Sequence, residues 1–83
     1  MKIKIIRYYG NIMYIDNVKQ LGLIIKKQRK MLKLTQVECA GITGVGVRFL
    51  SDLERGKPTC EIGKAIEILN GLGLKLQLDL ENE

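Results

Sequence analysis

Between Leu34 and Lys57 the chain reads LTQVECAGITGVGVRFLSDLERGK, two short amphipathic stretches joined at a glycine, and that spacing leaves few folds open. Thr35 is a helix N-cap residue followed by Gln36, and Ala40, one turn further on, is small enough for a second helix to cross closely. Gly44 falls four residues later, where a sharp turn favours a residue that tolerates positive φ. Beyond it, Val45, Leu50 and Leu53 form an inward stripe, while helical periodicity leaves Gly46, Val47, Arg48, Ser51 and Asp52 outward. Gly56, Lys57 and Pro58 then stop the second helix.

An apolar stripe precedes this pair. Asp16 or Asn17 can cap a first helix in which Val18, Leu21, Ile24, Ile25, Gln28 and Leu32 recur near the helical period, with lysines opposite. Gly22 weakens that helix by about 1 kcal/mol relative to alanine, too little to overturn the stripe. The second helix is expected over 35–41 and the third over 47–55. A fourth starts near Thr59 and turns Ile62, Ala65, Ile66 and Leu69 inward before Asn70, Gly71, Leu72 and Gly73 end it.

The two ends have a different texture. Leu74, Leu76, Leu78 and Leu80 alternate with Lys75, Gln77, Asp79 and Glu81, a period of two that demands a strand with one buried face. A lone strand cannot satisfy its own backbone, so it needs a partner. Lys2 to Arg7 can supply one in cis, or the same strand of a second copy can pair across a two-fold axis. The two-fold pairing is the preferred expectation, and both can coexist in a four-stranded sheet. Residues 1–15, with Gly10 and Asn11 as a turn signal, read as an N-terminal strand or tail, which a start at Met13 would dispense with. The expected organisation is a single domain, mainly α, of four to five short helices over 16–73, with a C-terminal dimerisation strand and tail over 74–83.

Length and charge narrow the function. A core built from 83 residues is marginal unless a second copy adds buried surface. The net charge of +5 suits a polyanionic partner. Lys26, Lys27, Arg29, Lys30 and Lys33 crowd the first helix, and Arg48, Arg55 and Lys57 surround the turn motif. With no histidine and only Cys39 and Cys60, which form no CxxC pair, no metal or other cofactor is expected. Cys39 is expected as a reduced thiol packed inward. There is no coupled nucleophile and base and no phosphate-binding loop, so an enzyme is not expected. No run is apolar enough to span a bilayer and no signal peptide is evident, which predicts a cytoplasmic protein.

The motif resembles the Xre or lambda-repressor-like helix-turn-helix family at Gln36, Ala40, Gly44, Val45, Leu50, Ser51, Leu53, Glu54 and Gly56, nine positions of its usual pattern. The resemblance extends from about Val18 to Leu72. GVGVRFLSDLERGKPT with the later LGLKLQLDL is similar to the HipB-type antitoxins, which repress their own operon and bind a kinase-like, HipA-type toxin.

That resemblance implies a homodimer on a palindromic DNA operator, with the third helix in the major groove. Arg48 is then the leading base reader, since a guanidinium can donate two parallel bonds to guanine. Val47 can meet a thymine methyl, Gly46 allows close approach, and Ser51 or Asp52 can add a hydrogen bond; Asp52 can equally hold Arg48 or Arg55. Gln36 resembles a phosphate anchor, joined at the DNA backbone by Lys57, Arg55 and some of Lys26, Lys30 and Lys33. Arg29 and Glu54 stand where the family often has a buried ion pair. Phe49 departs from the small polar residue common at its position, and is expected to pack against the second or fourth helix. The alternatives are a stand-alone phage-type or host regulator, and a protein-interaction module of the same fold that has lost DNA binding.

Overall fold

The computed structural model describes residues 2–7, 12–59 and 61–79. Four helices form the body: α1 (Val18–Met31), α2 (Gln36–Thr43), α3 (Val47–Glu54) and α4 (Ile62–Gly71). Three strands complete it, β1 (Lys2–Arg7), β2 (Ile12–Ile15) and β3 (Leu74–Asp79), in an antiparallel sheet of order β2-β1-β3.

The C-terminal strand therefore has its partner in cis. Ile3 lies between Ile15 and Leu78, and Ile5 between Met13 and Leu76, so the alternating residues of all three strands share one face. Ile5 and Leu74 are fully buried on that face, whereas Leu78 is 54 % exposed at its rim. Because β1 is central, β3 keeps its second edge, which no described residue pairs. A further copy added there would make six strands rather than the four expected, since β2 also joins the sheet. The expected turn residues Gly10 and Asn11, and Cys60, Leu80 and Glu81, lie outside the described residues.

The first two helices begin where a side chain provides a cap. Asn17 accepts the Gln20 N–H at 2.9 Å to open α1. Thr35 and Glu38 form a reciprocal capping box on α2, at 3.0 Å and 2.8 Å. The two bonds from Thr35, backbone first, hold the Glu38 carboxyl below the usual carboxylate range. Gly44 ends α2 at φ 76°, a left-handed conformation that aligns α3 across α2.

The fourth helix departs from expectation. It starts at Ile62, not near Thr59, because the Thr59 hydroxyl accepts the Glu61 N–H at 3.0 Å and closes a local turn instead. Its buried stripe is consequently Ala65, Ile68 and Leu69, with Ile62 58 % and Ile66 36 % exposed. Ile62 and Ile66 are thus outward, against the sequence reading, and so is Leu32 after α1 at 46 %.

Two close approaches lock the helices together. A Cβ on Gly22 would stand 2.0 Å from the Leu53 carbonyl oxygen, so α1 and α3 meet backbone to backbone there. A Cβ on Gly71 would stand 2.4 Å from Cγ2 of Thr43, at the α2–α4 contact. Around these points Ile25, Leu50, Leu53, Ile68, Leu69 and Leu72 fill the core. Gln28 crosses it, its Nε2 donating to the Leu72 carbonyl at 2.9 Å and so capping the end of α4. Cys39 is a fully buried free thiol, and burial pushes its pKa up, making it an inert packing residue. No helix among the described residues is long and apolar enough to cross a membrane.

Candidate nucleic-acid interface

The inward side of α3 is fixed by a buried ionic network. Arg29 meets Glu54 in a two-pronged contact, Nε to Oε2 at 2.6 Å and a second guanidinium nitrogen to Oε1 at 3.0 Å. Its remaining arm donates to the Leu34 carbonyl at 2.7 Å, tying in the turn that leads to α2. Hydrogen bonding to Glu54, partly offset by burial, raises the Arg29 pKa above its ordinary value, so the guanidinium stays charged. Gln36 is brought into the same network, its Nε2 donating to Glu54 Oε1 at 3.1 Å. Its side-chain amide thus already has a structural partner, while the first turn of α2 keeps its place beside α3.

The outward side is built differently. Gly46 is the N-cap of α3 and has no side-chain capping bond. Gly46, Val47 and Arg48 are exposed, with Val47 at 41 %, and Ser51 half-buried one turn on. Arg48 makes no hydrogen bond or ion pair with any described residue, although Asp52 stands one turn away on the same face. Asp52 is turned toward the end of the helix instead. Its Oδ1 accepts from Arg55 at 2.6 Å and its Oδ2 lies 3.5 Å from Lys57 Nζ. Burial pushes the Asp52 carboxyl up, but Lys57 and Arg55 together outweigh it and hold the pKa below its ordinary value.

The flanking residues divide into packing and charge. Phe49 is half-buried against the core, with the Lys64 ammonium 5.5 Å from its ring centroid, so it faces α4. It also lines a shallow groove with Asp52, Leu53, Lys57, Pro58, Thr59 and Glu61. Lys26 and Lys30, four residues apart on α1, are exposed on one face next to the stripe that meets α3. Lys33, also exposed, sits in the turn after α1 at φ 59°. The sequence reading did not foresee that Gly22 sets the α1–α3 distance, nor that Gln36 joins Glu54. Both are contacts between residues 18 or more apart in sequence.

Two short helices crossing at a left-handed glycine, with the second one buried on one side and offering an exposed guanidinium on the other, define a helix-turn-helix DNA-binding domain. The chain belongs to the Helix-turn-helix family (HTH_3) of Xre or lambda-repressor-like domains, whose model matches residues 25–78. It is similar to the uncharacterized HTH-type transcriptional regulator y4mF of Sinorhizobium fredii (strain NBRC 101917 / NGR234), with 45 % identity over 58 residues. That alignment covers 70 % of this chain and 76 % of the relative. The family is one of DNA-binding transcription regulators. Its match begins inside α1, so the β1–β2 hairpin lies outside the shared region.

Proposed function

We propose that this protein is a sequence-specific, cytoplasmic transcriptional repressor that binds a palindromic operator as a homodimer. In its most specific form it is the HipB-like antitoxin of a toxin–antitoxin operon, repressing that operon and binding a HipA-like kinase toxin. The observation that carries the DNA reading is the Arg48 guanidinium, without a partner among the described residues, on the exposed first turn of α3, beside Gly46, Val47 and Ser51. An arginine so placed can donate to both acceptors of a guanine while Gly46 lets the backbone approach the base edges. Exposed Lys26, Lys30, Lys33, Arg55 and Lys57 supply phosphate contacts, and the α2 N-terminus at Gln36 supplies N–H donors.

Dimerisation is supported by the second edge of β3. It has no pairing partner among the described residues, carries no proline, and borders Leu78 at 54 % exposure. The β1–β3 pairing leaves that edge available rather than consuming it. The antitoxin form is supported by the resemblance of GVGVRFLSDLERGKPT and of the leucine-alternating strand. A neighbouring gene for a kinase-like protein favours it, and the lack of one favours a stand-alone phage-type or host regulator.

The test is fluorescence anisotropy of the purified protein with DNA from immediately upstream of its own gene and with a scrambled duplex, across a salt series. Tight binding to the upstream duplex alone, with a steep salt slope, is the expected result. Equal weak binding to both duplexes, or none, contradicts autorepression and leaves a partner-binding module of the same fold.

A further inference from the structure

We propose that Asp52 is an internal stand-in for a DNA phosphate: its carboxylate pairs with Arg55 and Lys57 in the free protein and yields them to the DNA backbone on docking. Asp52 projects from the same outward face as Arg48, yet both of its oxygens are taken by cations from the end of α3 and the loop after it. Those cations are the more exposed partners. Their side chains are 71 % and 67 % exposed, against 20 % for Asp52, so incoming phosphate reaches them from solvent while the carboxylate sits behind them.

The backbone of both basic residues is held independently of the carboxylate. The N–H groups of Arg55 and Lys57 donate to the Asp52 carbonyl at 3.1 Å and 3.0 Å, so removing the carboxylate leaves the backbone that carries them unchanged. An exposed ion pair contributes little and exchanges readily, which suits a contact that must be given up. Binding then trades one carboxylate for phosphate oxygens at the same cations, and fewer counterions are released than the five exposed basic residues Lys26, Lys30, Lys33, Arg55 and Lys57 would suggest. Asp52 thereby lowers affinity for every sequence alike and keeps discrimination with Arg48. The inference requires only that Arg55 and Lys57 face the DNA backbone.

Asp52→Asn, with Asp52→Ser as a second variant, tests it against the upstream and scrambled duplexes. Binding to both is expected to tighten by about two- to five-fold. The salt slope is expected to steepen by about 0.9 for each cation released to a phosphate. The ratio between the two duplexes stays the same, and circular dichroism melting confirms that both variants are folded. In an Arg55→Gln, Lys57→Gln background the same change at Asp52 has no effect, because nothing is left to unmask. A collapse of the ratio makes Asp52 a base reader and overturns the proposal. Tightening that persists in the neutralised background makes it simple repulsion, and unchanged affinity removes Arg55 and Lys57 from the backbone contacts; either overturns it. Wild-type protein that binds neither duplex at low salt defeats the DNA reading itself.

Discussion

Glu54 and Asp52 sit two residues apart on α3, and each accepts an arginine nitrogen at 2.6 Å, yet they do opposite work. Glu54 is 2 % exposed, shared by Arg29 and Gln36, and joins three helical segments. Asp52 is 20 % exposed and, among the described residues, pairs with cations of its own helix end and the loop beyond it. Distance alone does not set the role of an ion pair; the surrounding solvent does. A buried pair cannot be half removed without stranding a charge, whereas an exposed pair can be exchanged for water or phosphate at little cost. The inner face of α3 is therefore a structural fixture, and the outer face is free to be specialised for a ligand.

The sharpest way to break this contrast is to remove one partner on the inner side. Arg29→Met strands Glu54 and is expected to cost about 3 to 5 kcal/mol in urea unfolding, a large share of the stability of so small a domain. A loss below about 1 kcal/mol would put the Arg29–Glu54 pair in the same class as Asp52–Arg55. Next in size is Gly22→Ala, which sets helix propensity against packing. Alanine brings about 1 kcal/mol in propensity. Its Cβ meets the Leu53 carbonyl oxygen at 2.0 Å, forcing α1 from α3. The expected outcome is a net loss of about 2 kcal/mol by the same assay. A gain in stability would mean that the two helices are not in backbone contact.

A smaller effect belongs to the cap of α2. Thr35→Ala removes one half of the capping box and is expected to cost about 1 kcal/mol at neutral pH. The Glu38 half depends on pH. Its folded pKa lies below the ordinary 4.5, so its contribution is fully present above that value and disappears as pH falls through the lowered pKa. The melting difference between wild type and Glu38→Ala should accordingly shrink in acid, and a difference that is constant with pH would assign the effect to helix propensity alone.

These outcomes separate what the sequence dictates locally from what arises only when distant segments meet. The period-two leucines from Leu74 require a strand, and the Leu34–Lys57 spacing requires two crossing helices, because both patterns are local and repeat over several residues. The cis partner of that strand was one of two options, and the alternating Ile3 and Ile5 supply it. Thr59 shows where such reading ends: a threonine before a helix can cap it or close a turn ahead of it, and the turn prevails, moving the apolar stripe of α4 onto Ile68. Gly22 is invisible in the same way. Along the sequence it is a weak helix former, and only the arrival of Leu53 makes it a necessity. In the site, the outward position of Arg48 follows from periodicity, whereas the orientation of Asp52 depends on where the chain turns beyond Glu54.

The most direct test of the contrast is Arg48→Ala, measured at once by urea unfolding and by binding to the upstream and scrambled duplexes. Arg48 contacts no described residue through a hydrogen bond or ion pair, so stability should change by less than about 0.5 kcal/mol. Affinity for the upstream duplex should fall by about 1 to 3 kcal/mol while scrambled DNA is far less affected, erasing most of the discrimination. Discrimination that survives intact, or a loss of stability comparable to that of Arg29→Met, would contradict the assignment of the outer face of α3 to sequence reading.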